Sequence, residues 1–140
     1  MKHEHSAGAV VYTLYDGEPH FVIVMEKSGY FGFPKGHLEG DETEEQAALR
    51  EIFEETHLTA ELDTNFRITD EYMKAKRIRK SVTYFAAYFE NQHANNMSKE
   101  VRGVYTLPYD KAMEKLSFES SRDILRSFRQ YLENKKVNEV

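Results

Sequence analysis

Cysteine is missing altogether from the 140 residues, which removes disulfides, thiolate metal ligands and cysteine nucleophiles together. That absence fits the reducing cytoplasm, which is the expected location. Long hydrophobic runs are missing too. The longest near the start, "AGAVVY" at 7–12, is too short to cross a bilayer and lacks the flanks of a signal peptide, so no membrane association is expected. Positive charge is in deficit, with 19 Lys and Arg against 24 Asp and Glu and a net charge of −5. This balance argues against broad attraction to nucleic acid or anionic lipid. It still permits an anionic substrate if a divalent cation mediates. No repeat, low-complexity linker or domain boundary is visible, so residues 1–140 are expected to form one domain with a proper core.

Strand and helix signals interleave. "HSAGAVVYTL" (5–14) and "HFVIVME" (20–26) read as strands, with Asp16-Gly17 closing a hairpin. Residues 27–42 hold four glycines and a proline and read as a structured loop. Residues 43–56 read as a helix capped by Asp41, with Glu44 as its capping-box partner. "SVTYFAAYF" (81–89) reads as a central strand and 101–107 as another. Residues 108–116 and 120–132 read as helices, the second carrying Ile124, Leu125, Phe128 and Leu132 on one stripe. "ENKKVNEV" (133–140) reads as a frayed tail. The fold class expected is α/β, a mixed sheet with helices packed on it.

The helix at 43–56 is the informative element. Glu44, Glu51, Glu54 and Glu55 fall within about 100° of arc. Leu49, Ile52 and Phe53 lie opposite and are expected to face the sheet, while Ala47 and Ala48 leave room beside the acids. A solvated acidic face is the ordinary reading of such a helix. Two costs oppose it here. Glu51 repels Glu54 and Glu55 across one turn, at roughly 0.2–0.5 kcal/mol each. Glu54 and Glu55 also sit at the negative end of the helix dipole, at roughly 0.3–1 kcal/mol each. A divalent cation among the carboxylates resolves both, and hard oxygen ligands suit Mg²⁺ or Mn²⁺.

"GHLEGDETEEQAALREIFEETHL" (36–58) resembles the Nudix box, with Gly36, Glu42, Arg50, Glu51, Ile52, Glu54, Glu55 and Leu58 all at matching positions. His57 departs from the pattern, standing where the family has glycine just past the helix. Histidine visits positive φ more readily than most residues, so His57 can keep that backbone at a cost of roughly 1 kcal/mol. The resemblance implies a Nudix-type α/β/α sandwich and hydrolysis of a nucleoside diphosphate linked to another group. It implies that Glu51, Glu54 and Glu55 hold the metal and that Arg50 orients them. Glu51 is the first candidate for general base. Glu100 is the second, and a further metal ligand, because the family often supplies another acid from beyond the box.

Around the box, "FPKGH" (33–37), "KSVTYF" (80–85) and "EVRGVYTLPYDKA" (100–112) resemble the bis(5′-nucleosyl)-tetraphosphatase branch. That resemblance implies asymmetric cleavage of diadenosine tetraphosphate to ATP and AMP. Lys35 is then a phosphate contact, and Tyr72 and Tyr84 are candidates for base stacking or phosphate contact, each equally readable as a sheet residue. "KAKRIRK" (74–80) has five basic residues in seven. It reads as a solvated hairpin loop, or as a clamp on a long polyphosphate with Lys80 the leading contact. A (d)NTP pyrophosphatase and an RNA 5′-end pyrophosphohydrolase stay open as alternatives. The complete acidic set argues against a Nudix module that senses a nucleotide without cleaving it. The sequence leaves the oligomeric state open.

Overall fold

Asp16 and Gly17 both take positive φ, 52° and 80°, the turn geometry that matches the twist of a two-stranded ribbon. They close β1 (Lys2–Tyr15) onto β2 (Glu18–Glu26), with Tyr12 opposite Phe21. The structure is a computed structural model that describes residues 1–96 and 98–138. Its remaining strands are β3 (Phe31–Gly32), β4 (Lys35–His37), β5 (Glu61–Ala75), β6 (Ile78–Tyr88) and β7 (Val101–Pro108). They form one seven-stranded sheet, ordered β3-β2-β1-β6-β5, with β4 also on β1 and β7 also on β2. The β1–β6 pair is parallel and the others are antiparallel, so the sheet is mixed, as expected.

Alternation along β1 and β6 sorts side chains onto two faces. Ala7, Ala9, Val11, Phe85 and Ala87 pack with Ala47, Ala48 and Ile52 of helix α1 (Glu44–Thr56). On the opposite face Val10, Phe21, Val82 and Tyr84 pack with Ile124, Leu125 and Phe128 of helix α3 (Glu119–Asn138), joined by Ala112 of helix α2 (Tyr109–Lys115). Helices therefore cover both faces of the sheet. None of the described helices is long and apolar enough to cross a membrane.

Two elements depart from the sequence reading. Residues 61–75 carry too many charged and polar side chains to read as a strand, yet they form β5 at the sheet edge, where only Phe66 is fully buried. With β5 in place, the run 74–80 is mostly strand, and the turn is confined to Lys76 and Arg77. The expected frayed tail is instead the last stretch of α3 as far as Asn138, while residues 139 and 140 lie outside the described residues. Glu, Lys and Asn at these positions extend a helix that Phe128 has already anchored.

Candidate active site

Helix α1 begins at Glu44, the residue expected to be the capping-box partner. Thr43, not Asp41, is the N-cap: its Oγ1 accepts from Gln46 N at 3.1 Å, and Gln46 Oε1 accepts from Thr43 N at 2.9 Å. That reciprocal pair satisfies two helix-end donors, which frees Glu44 for another task. The phase of the helix is also corrected. Leu49 and Phe53 are exposed, whereas Glu51 and Glu55 are buried with Ala47, Ala48, Ile52 and Thr56. The small alanines bring the helix close to the sheet and carry two carboxylates into the interface.

Glu51 and Glu55 retain only 6% and 4% of their accessible surface. Gly36 on β4 forms the wall behind Glu51, and a Cβ there would lie 2.1 Å from its Cδ. Lys35 N donates to Glu55 Oε2 at 3.2 Å. The two carboxylates touch, and burial together with the Glu51 neighbour pushes the Glu55 carboxyl far above the ordinary carboxylate range. Glu51 Oε2 is buried without a hydrogen-bond partner among the described residues. Arg50 closes the other side. Its Nε and Nη2 hold both oxygens of Glu42, at 2.7 and 3.0 Å, while Nη1 reaches Glu51 Oε1 at 2.8 Å and Glu54 Oε2 at 3.2 Å. A further bond from Nη2 to the His37 carbonyl, at 2.9 Å, ties the guanidinium to β4.

These residues fit a divalent cation. An unmet oxygen on Glu51, against a Glu55 carboxyl that burial pushes upward, is a place where a cation would favour the ionised pair. The donors are hard oxygens, as Mg²⁺ and Mn²⁺ require. Glu54 sits at the exposed rim, held by Arg50. Glu100 lies exposed in the turn before β7, whose first residue Val101 pairs with Glu26 at the end of β2. No three acidic or histidine side chains among the described residues converge on one point, so the structure brings Glu51 and Glu55 together, leaves Glu54 at the rim, and shows no contact between Glu100 and the pair.

The predicted substrate contacts gather on the β1–β6–β5 side of this pair. Lys35 Nζ is paired with Glu26 at 3.1 Å, a partner the sequence reading missed because Glu26 closes an apolar strand. Lys80 is buried, and among the described residues no ion pair or hydrogen bond of its side chain is seen. Burial, with Lys35 and Lys74 nearby, lowers its pKa. Two lysines close together with one counter-ion between them make a site for an anion. Tyr72 stands opposite Lys80 across β5 and β6, with 42% of its surface exposed. Tyr84 is in the core, edge-on to Phe33 at 5.6 Å, as the sheet-residue reading of it expects.

His57 ends α1 with φ 62° and ψ 21°, its N–H donating to Phe53 O at 2.8 Å and its ring standing edge-on to Phe53 at 4.9 Å. This is the left-handed cap that its place in the box requires. His57→Gly is therefore expected to change stability by at most about 1 kcal/mol, since relief of positive-φ strain offsets added unfolded-state entropy. Denaturant unfolding checks this, and hydrolysis should stay within about twofold of wild type. A large loss of activity with normal metal affinity would give the imidazole a chemical role.

Comparison with known proteins gives a consistent picture. The family described as NUDIX domain matches residues 4–128. The asymmetrical bis(5′-nucleosyl)-tetraphosphatase of Caenorhabditis elegans is 29% identical over 131 residues, covering 91% of this chain and 95% of that protein. An 8-oxo-(d)GTP phosphatase of Mycolicibacterium smegmatis is 36% identical over 110 residues, covering 76% of this chain but 33% of its own length. Among solved structures, a binary complex of the C. elegans Ap4A hydrolase superposes with a TM-score of 0.86 at 26% identity, covering 94% of this chain and 98% of that one.

Proposed function

This chain belongs to the Nudix family, and on that premise we propose that it cleaves diadenosine tetraphosphate asymmetrically, to ATP and AMP. Hydrolysis of phosphoanhydride bonds in nucleoside polyphosphates is the reaction class of the family and of its C. elegans relative. The observation that carries the assignment to this site is the buried Glu51–Glu55 pair, with an oxygen left unmet behind Gly36. Residues 1–140 act in this proposal as one Nudix domain working in the cytoplasm.

Glu51, Glu54, Glu55 and Glu100 are proposed to hold Mg²⁺, or Mn²⁺ in its place. When bound, the cation neutralises phosphate oxygens and acidifies the attacking water. Arg50 keeps Glu51 and Glu54 on one side of the helix through the Glu42 fork. Glu51 takes the proton of the water, with Glu100 the alternative base. Lys35 and Lys80 hold the phosphates that are not cleaved, and Tyr72 offers its exposed face to a base. The tetraphosphate is favoured over shorter substrates because Lys80 adds a second, unpaired cation beside Lys35, and because the likeness to the tetraphosphatase covers almost all of both chains.

A (d)NTP pyrophosphatase is the second reading, supported by the 36% identity to the mycobacterial phosphatase. One panel separates the two. The kcat/KM for diadenosine tetraphosphate should exceed that for dGTP and 8-oxo-dGTP. Lys80→Ala should lower it by roughly 10–100-fold for the tetraphosphate, as loss of a charge-assisted phosphate contact implies. For a dNTP the same substitution should cost less than about threefold. A clear preference for dNTPs would favour the second reading.

A further inference from the structure

Glu44 lies on the same face of α1 as Glu51, two turns earlier, at the first helical position. Its carboxylate is claimed by three strands. His5 Nε2 of β1 donates to Oε2 at 2.7 Å, and Arg67 Nη2 of β5 donates to Oε1 at 2.8 Å. Thr83 of β6 also favours the charged form of the same carboxylate. Behind these, the other His5 nitrogen is 2.7 Å from Ser81 Oγ, and Thr83 Oγ1 is 3.3 Å from Thr69 Oγ1. Burial pushes the Glu44 carboxyl up, but Thr83, Arg67 and His5 prevail and hold it at about 2.

The other end of the helix has the opposite character. There, two carboxylates are buried beside Gly36, and the cost of taking them out of water opposes seating of the helix on the sheet. The apolar packing between the two ends is narrow, since it rests on Ala47, Ala48 and Ile52 while Leu49 and Phe53 face solvent. A clamp at the first turn is what keeps the acids seated.

We propose that Glu44, gripped by His5, Arg67 and Thr83, is a positioning residue that fixes the catalytic helix against the sheet and thereby sets the cation affinity of Glu51 and Glu55. The inference rests on the metal-dependent reading of the site. It assigns Glu44 to the sheet and not to the cation, although Glu44 shares the face of the metal-binding acids.

The test is direct Mn²⁺ binding to substrate-free protein, by calorimetry or by electron paramagnetic resonance of free Mn²⁺, alongside kinetics. Glu44→Ala should weaken Mn²⁺ binding by roughly 10–100-fold, the scale seen when groups supporting metal ligands are removed. Its kcat should fall by a similar factor, with KM within about threefold, since no phosphate contact is touched. Glu44→Gln, which keeps the length and an acceptor for Arg67, should restore most of the affinity. His5→Ala gives an independent weakening that leaves the Arg67 grip in place, so the test survives poor folding of Glu44→Ala. A merely structural role would lower the melting temperature of these variants with Mn²⁺ affinity unchanged, which would overturn the proposal. Failure of the wild-type protein to bind Mn²⁺ would instead overturn the metal reading beneath it.

Discussion

Glu51→Gln and Glu55→Gln should each reduce turnover by roughly 10²–10⁴-fold, the range expected when a general base or charged ligand is lost. Circular dichroism should remain native for both. The second variant carries a further expectation, because the Glu55 carboxyl is raised by burial and by Glu51. The folded chain then holds a proton there that the unfolded chain has released. Between the unfolded pKa, near 4.5, and the higher folded value, stability of the metal-free wild type must fall as pH rises. Glu55→Gln imitates the protonated form and can offer its amide N–H to the unmet Glu51 oxygen. Metal-free Glu55→Gln should therefore be more stable than wild type at pH 8, by at least about 1 kcal/mol, with the gap widening as pH rises and closing towards pH 5. Urea unfolding in the presence of a chelator measures this. Equal stabilities across that range would mean the pair is not under charge strain. Normal turnover by both variants would remove the pair from the chemistry.

Gly36→Ala should be nearly as damaging to activity by a purely steric route. The new methyl would sit 2.1 Å from Glu51 Cδ and 2.2 Å from its Oε1, so either the carboxylate or strand β4 must move. Overpacking of this kind costs roughly 1–3 kcal/mol of stability. The loss of turnover should be far larger, about 100-fold or more, because a displacement of an ångström at a reacting group is enough. Gly32→Ala is the control, since a Cβ there meets nothing within 4 Å. Kinetics on the two variants side by side give the comparison. Similar activities for both would mean that the wall behind Glu51 is not needed.

A cation was readable because Glu51, Glu54 and Glu55 crowd the end of one helix, the reaction class came from the resemblance of 36–58 to the Nudix box, and the structure brings Glu51 and Glu55 together. The orientation of the helix was not readable. Ordinary burial rules place Leu49 and Phe53 inward, but here two alanines and two acids take the interface and the large apolar side chains face solvent. A buried pair of acids breaks the local rule, as residues at functional sites commonly do. Glu44 was legible as an acid on the right face and illegible as an anchor, because His5, Arg67 and Thr83 come from three separate strands. Strand β5 was hidden for a simpler reason: at the sheet edge its side chains mostly meet water, so little alternation is imprinted on 61–75. The Lys35–Glu26 pair needs the approach of β4 to the end of β2, which no local pattern records.

Hydrolysis of diadenosine tetraphosphate by the wild-type protein in ¹⁸O-labelled water with Mg²⁺, read by mass spectrometry of the products, tests the central claim most directly. Attack at the phosphorus beside one adenosine predicts ATP and AMP with the label in AMP. Two molecules of ADP, or intact substrate after addition of Mg²⁺ or Mn²⁺, would contradict it.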